Sequence, residues 1–242
     1  MSFLNNLRVY SKILFPRISG CTPAERLESF YSGQAEFFDD FRKGMLHGRE
    51  ELMRAIPVPK DGIWVDMGGG TGNNLHYLGD KLKDLRRIYL VDLCASLLSV
   101  ARQRVEKMKW RNVEIIKADI TSYKPPEEYA DVVTFSYSLS MVSNWLAALN
   151  NAEIILQPGG FVGVVDYYIS QKHPAADNER HSWVSRQFWA YFFKHCDVHL
   201  SPDQLPYLCS NYEKQHLFEG RARIPYFPWL KPPYFRFIGR KL

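Results

Sequence analysis

Between residues 63 and 165 the chain alternates short apolar runs with longer amphipathic ones. Ile63-Trp64-Val65, Arg87 to Asp92, Val113 to Ile120, the run opening at Ala130-Asp131-Val132 and Phe161 to Val165 are each about strand length. They are almost continuously apolar, as expected of strands buried on both faces of a parallel sheet. The stretches between them, 94–107 and 145–156, carry helical spacing, so the pattern predicts an α/β sheet. Gln157-Pro158-Gly159-Gly160 reads as a helix stop and tight turn before the fifth strand. Upstream, Thr22, Pro23 and Glu25 form a helix-start signature, and a second helix over 46–55 is stopped by Pro57 and Pro59. Downstream, 177–196 reads as an aromatic-rich helix and 200–208 as a short capped one. Two last strands, 212–220 and 234–240, flank a proline-aromatic stretch and close a hairpin.

Three of the predicted strands end on an acid, and that changes the picture. The first runs into Asp66-Met67-Gly68-Gly69-Gly70-Thr71-Gly72-Asn73, so an acidic strand end is followed by alternate glycines and then a predicted helix start. Strand, flexible loop and helix N-terminus together suit a nucleotide-like cofactor, because glycines admit the backbone close to the ligand. A dinucleotide fingerprint would need glycine at Asn73, which argues against a nicotinamide reductase. Asp66-x-Gly68-x-Gly70-x-Gly72 instead resembles motif I of the class I S-adenosylmethionine methyltransferases. An ordinary strand-to-helix turn is the plainer alternative.

Asp92 closes the second strand about twenty residues on, where a carboxylate can accept both hydroxyls of a ribose; capping the next helix is its other reading. Asp119 closes the third, in an Ala118-Asp119 pair similar to the one with which many methyltransferases hold adenine. With Leu93, Ile120, Asn73 and Ser136, which lies at a carboxyl strand edge, these residues make up the expected cofactor set. Tyr31 and Gln34, in an aromatic-dense segment ahead of the sheet, either lid the cofactor or pack in the core.

Composition narrows the partners. A formal charge of +5 is spread along the chain without a basic stripe, which argues against nucleic acid and is compatible with an anionic membrane surface. Cys21, Cys94, Cys196 and Cys209 follow no framework spacing, so a cytoplasmic, reducing setting is expected. No apolar run is long enough to span a bilayer, and Arg8, Lys12 and Arg17 break the pattern of a signal peptide. Those cations sit among Phe3, Leu4, Leu7, Tyr10 and Ile13 at helical spacing. Residues 1–20 are therefore read as a basic amphipathic helix that packs on the domain or lies on a membrane, with the cytosolic face of the endoplasmic reticulum as the expected site.

Four phrases carry a closer resemblance: Arg26-Leu27-Glu28-Ser29-Phe30-Tyr31-Ser32-Gly33-Gln34-Ala35, Asp66 to Gly72, Val198 to Leu208 with Leu200-Ser201-Pro202-Asp203-Gln204-Leu205-Pro206-Tyr207 its most specific part, and the end Pro233 to Lys241. They resemble the methyltransferase half of eukaryotic betaine-lipid synthases. The resemblance implies a Rossmann-like seven-stranded sheet with an antiparallel last strand. It implies a helical extension over 1–60, a cofactor core over 61–170, and a substrate lid and hairpin over 171–242. It also implies S-adenosylmethionine as cofactor, trimethylation of a diacylglyceryl-homoserine amine, and an aminocarboxypropyl transferase as partner, since that half of the synthase has no counterpart here. The chain is then a stand-alone relative or an excised domain.

A quaternary ammonium product suits an aromatic box, for which Tyr31, Tyr137, Tyr167, Tyr168 and Trp189 are candidates. His181 and His195 are candidate bases for an amine that must lose its proton. His195, Asp197 and His199 mimic a metal spacing, but no metal is expected. A soluble small-molecule acceptor and a non-catalytic cofactor-binding subunit are the alternatives.

Overall fold

The computed structural model describes residues 18–33, 35, 39, 44–224 and 229–242. The reading of residues 1–20 as an interfacial helix, and of Gln34 as a cofactor contact, falls largely or wholly outside these residues.

Seven strands, β1 (Ile63–Met67), β2 (Arg87–Asp92), β3 (Val113–Lys117), β4 (Ala130–Ser136), β5 (Leu156–Tyr167), β6 (Glu213–Arg221) and β7 (Pro233–Arg240), form one sheet. Its order is β3-β2-β1-β4-β5-β7-β6, with β7 antiparallel to both neighbours. This is the predicted seven-stranded Rossmann-like sheet with an antiparallel last strand. Because β1 lies at its centre, every one of its residues is buried, which explains the unbroken apolar run. Side chains still alternate between faces. Trp64 joins one core with Leu52, Leu75, Leu98 and Val165, whereas Ile63, Val65 and Met67 join the other with Phe135, Leu149 and Phe237.

Helices cover both faces. On the Trp64 side lie α2 (Arg49–Ala55), α3 (Ala95–Met108) and α5 (Trp183–Lys194); on the other lie α4 (Trp145–Ile155) and α6 (Gln204–Asn211). Ahead of the sheet, α1 (Pro23–Tyr31) has the predicted capping box: Thr22 accepts from the Glu25 amide while the Glu25 carboxylate accepts from Thr22. It packs Phe30 and Tyr31 against Cys94 and Leu97 at the start of α3.

Several boundaries move for local reasons. The first helical turn predicted from residue 46 is absent, because Gly48 adopts φ 82° and α2 starts after it. The glycine loop feeds tight 3-10 turns over Asn73–Asp84, interrupted at Gly79, rather than an α-helix. β3 stops at Lys117, because the Asp119 carboxylate accepts from the Thr121 amide and hydroxyl and bends the chain. α5 begins only where Ser182 caps it, six residues later than predicted. The proline-glycine turn after α4 is drawn into the beginning of β5, since Gly159 donates to Lys241 beside β7.

Candidate active site

The carboxyl edge of β1, β2 and β4 opens into a cavity of about 490 Å³. Its floor is the glycine loop. Gly68 and Gly69 donate to the Val91 carbonyl of β2 (2.8 and 3.1 Å), which pulls the loop down onto the sheet. Gly68 has φ 74°, and a Cβ there would lie 2.4 Å from that of Ser138. Gly72 has φ 72° and presses on Leu90, where a Cβ would come within 2.9 Å of the side chain. It shapes the loop without lining the cavity, which corrects its place in the expected cofactor set.

Asp92 stands at the cavity wall, buried, with Oδ2 accepting from the Gly70 amide (2.9 Å) and Oδ1 from the Cys94 amide (2.8 Å). Both readings of this residue therefore meet in one carboxylate: it caps the start of α3 and faces the cavity. Burial raises its pKa above the ordinary carboxylate value. Leu93, Asp119, Ile120, Asn73 and Ser136 also line the cavity, so the structure brings together most of the expected set.

Asp66 does not reach the wall. It is wholly buried one layer behind, where its Oδ1 accepts from Thr134 (2.8 Å), which in turn accepts from the Trp64 indole (2.9 Å). Burial pushes its pKa up to about 6, and the Asn74 amide beside it works against that rise. Asn74 does line the cavity, so it stands between Asp66 and whatever the cavity holds.

The aromatic candidates divide by face. Tyr31 and Tyr137 form part of the wall. Tyr137, held at φ 55°, donates its hydroxyl to the His47 carbonyl (2.7 Å). Tyr167 is not in the wall; it stacks edge-on behind Tyr137 with centroids 4.7 Å apart and donates to Met45. Its neighbour Tyr168 points to the opposite side of the sheet and bonds Glu219, while Trp189 packs behind with Phe193.

The histidines change roles. His181 is buried against Tyr168, accepts from the Ser170 amide (3.0 Å), and has its pKa lowered to about 4 by desolvation. Being off the cavity, it is removed as the base. His195 turns its Nδ1 to the Tyr191 carbonyl, away from His199. Asp197 and His199, dismissed as a metal mimic, line the cavity rim instead. His199 Nε2 lies 3.5 Å from Asp197, which Arg26 of α1 clamps at 2.6 Å.

Arg49 is the residue that sequence reasoning missed most clearly. It is 6% exposed, lines the cavity at the first turn of α2, and uses Nε to reach the Leu46 carbonyl. Its charge is felt by Asp66 and Tyr137. Among the described residues no bond satisfies Asn74 Oδ1, Ser136 Oγ or Asp66 Oδ2, although all three are buried. Among the described residues the cavity therefore pairs a cation without an anion, Arg49, with two acceptors without a donor, Asn74 Oδ1 and Ser136 Oγ. The amino-acid end of S-adenosylmethionine, an ammonium beside a carboxylate, offers both.

Comparison with known proteins decides the class. The methyltransferase domain family matches residues 65–160, from β1 into β5. The UbiE ubiquinone/menaquinone biosynthesis C-methyltransferase of Coxiella burnetii is 30% identical over 104 residues, 43% of this chain and 42% of that protein. Residues 65–160 match a methyltransferase domain, on a sheet with the class I methyltransferase fold. It spans 42% to 59% of the length of the curated relatives it matches. Two solved structures share the methyltransferase fold at low identity. Phosphoethanolamine N-methyltransferase 2 of Haemonchus contortus superposes with TM-score 0.69 at 14% identity, over 92% of this chain and 60% of that one. The N-methyltransferase NodS of Bradyrhizobium japonicum gives 0.58 at 13%, over 80% and 85%.

The methyltransferase's cofactor binding should depend on pH through Asp66. An acid whose folded pKa is raised favours folding while protonated, and that contribution is lost as pH rises through about 6. Binding an ammonium has the opposite sign, because it favours the anion. Affinity for S-adenosylmethionine is therefore expected to fall several-fold as pH drops through about 6, and Asp66→Asn should flatten that slope in calorimetric titrations. An equally steep slope in the variant would take Asp66 out of the account.

Proposed function

We propose that this domain methylates the amine of a lipid headgroup of the diacylglyceryl-homoserine type. The observation that carries the amine reading is the pair Tyr31 and Tyr137 in the wall of the cavity that also holds the unpaired acceptors. Phenol faces attract a methylated ammonium by about 0.5–2 kcal/mol per contact, the more so where water is excluded. The homoserine-lipid identity is supported by the four sequence phrases that resemble betaine-lipid synthases, one of which supplies Arg26 and Tyr31 to the cavity.

S-adenosylmethionine, when bound, supplies a methyl group on a positively charged sulfur, open to in-line attack. The chain's task is to align the acceptor and remove its proton. Tyr137 stays protonated, since burial drives its pKa well above the ordinary phenol value. Its hydroxyl proton is committed to His47, so its oxygen is left to accept from an amine N–H. The proton leaves toward the rim, where His199 beside Asp197 is positioned to take it. Full methylation repeats this step until no N–H remains.

A second reading, methylation at carbon, is favoured by the UbiE-type relatives, which are C-methyltransferases of ubiquinone/menaquinone biosynthesis. Incubation with methyl-labelled S-adenosylmethionine and a panel of diacylglyceryl-homoserine, phosphatidylethanolamine, soluble amines and a polyprenyl quinol separates the two. Label is expected in the homoserine lipid. Label in the quinol alone would replace the amine reading, and label in soluble amines alone would remove the lipid.

A further inference from the structure

The polarity of α5 is inverted for a helix on a watery surface. Its inner edge, Trp189 and Phe193, is buried, and Phe193 stacks on Tyr167 at 4.8 Å, one ring behind the cavity wall. Its outer face ought then to be polar. Instead Trp183, Val184, Phe188 and Tyr191 are 71%, 67%, 45% and 69% exposed. Residues 184, 188 and 191 recur at one-turn spacing, so they form a continuous stripe with Trp183 at its head. Large apolar side chains scattered singly over a surface need no explanation, but four on one twelve-residue helix do.

The charges on this helix have one sign. Between 183 and 194 there is no acid, and the two ionic residues are Arg186 and Lys194. Just beyond, the chain delivers Asp197 and His199 to the cavity rim.

We propose that the outward face of α5 docks on an anionic lipid bilayer, with Trp183, Phe188 and Tyr191 seated at the headgroup level and Lys194 against the lipid phosphates, while Arg186, its Nε buried, lies on the inner side near His181. Indole and phenol rings combine an apolar body with a polar edge, which suits that depth. A short aromatic helix with cations and no acids meets the conditions for interfacial binding, and the net charge of +5 acts in the same direction. This surface is separate from the cofactor cavity and does not depend on which atom of the acceptor is methylated.

The test is flotation of the full chain with vesicles of phosphatidylcholine alone and of phosphatidylcholine mixed with phosphatidylserine. Binding is expected to be about fivefold stronger to the anionic vesicles and to weaken with added salt, as one cation near a charged surface on a chain of net positive charge requires. The variant Trp183→Ser/Phe188→Ser/Tyr191→Ser is expected to bind them at least about tenfold less. Its thermal midpoint and affinity for S-adenosylmethionine should stay at wild-type values, since none of the three is in the cavity. Brominated lipids are expected to quench tryptophan emission in the wild type, and Trp183→Phe should remove most of that quenching. The proposal is overturned if the wild type does not float. Undiminished flotation of the triple variant, as would follow if residues 1–17 carried the binding, overturns it too. A dimer that the triple variant converts to monomer would mark the face as a contact between copies and also end it.

Discussion

Gly68→Ala is expected to weaken S-adenosylmethionine binding by about a hundredfold. The added Cβ would lie 2.4 Å from the Ser138 Cβ, well inside contact distance, at a residue whose φ of 74° already disfavours a side chain. Overpacking of this kind costs about 1–3 kcal/mol and the left-handed conformation about 1 kcal/mol more, together on the order of a hundredfold in a dissociation constant. The strain falls on the binding site because both partners belong to it. Gly68 anchors the loop to Val91, and Ser138 donates from the β4 exit loop to the Met67 carbonyl (2.8 Å). Isothermal titration of Gly68→Ala, with folding checked by circular dichroism, measures the loss. Adding Ser138→Gly removes the opposing Cβ and should restore part of the affinity. A Gly68→Ala protein that binds normally, or a double variant no better than the single one, would show that close packing of these two loops is not what shapes the floor.

The contrast between Gly68 and Arg49 shows what the chain makes legible. The floor could be read in advance because each of its requirements leaves a residue-level mark. Unbroken apolar runs mark a sheet covered on both faces, alternate glycines mark a backbone that must bend sharply, and an acid at a strand end marks a polar edge. Asp66 and Asp92 fall at the ends of β1 and β2, while Asp119 lies two residues past the end of β3, and only Asp92 and Asp119 reach the cavity. Arg49 carries no mark of this kind. An arginine in the first turn of a short amphipathic helix is ordinarily solvated, and its burial follows from how α2 packs against β5, which spacing does not encode.

Tyr167 and Tyr168 fail for a related reason. Alternation along β5 requires them to take opposite faces, but not that the cavity wall be completed by Tyr137, which stands in front of Tyr167. The rim pair Asp197 and His199 was within reach of the sequence. Its spacing mimics a metal site, but the arrangement is simpler, a histidine beside a carboxylate that an arginine holds.

Asp92→Ala should abolish measurable cofactor binding, a loss larger than one missing ribose contact would give. A charge-assisted hydrogen bond contributes roughly 1.5–3 kcal/mol, so losing the ribose contact alone would weaken binding by one to two orders of magnitude. The geometry adds to this. The same carboxylate receives the Gly70 amide at 2.9 Å and the Cys94 amide at 2.8 Å, tying the glycine loop to the start of α3. Truncation leaves two buried donors unpaired, and each such donor costs about 1–3 kcal/mol. Part of that cost falls on stability and part on the loop's readiness to bind.

Asp92→Asn separates the contributions. The amide keeps one acceptor oxygen and the side-chain volume while giving up the charge. Because one of its two amide donors is left without an acceptor, Asp92→Asn is expected to lose some stability, though less than Asp92→Ala, and to bind about tenfold to a hundredfold more weakly. The alanine variant should lose thermal stability as well. Because burial raises the Asp92 pKa, removing its charge also relieves a desolvation penalty, which offsets part of the cost of the donor that asparagine leaves unpaired. Calorimetry and thermal melts on both variants read the two quantities independently. If alanine lowers the melting temperature while leaving S-adenosylmethionine affinity intact, Asp92 is a cap for α3 and nothing more, and the ribose must be held by another residue.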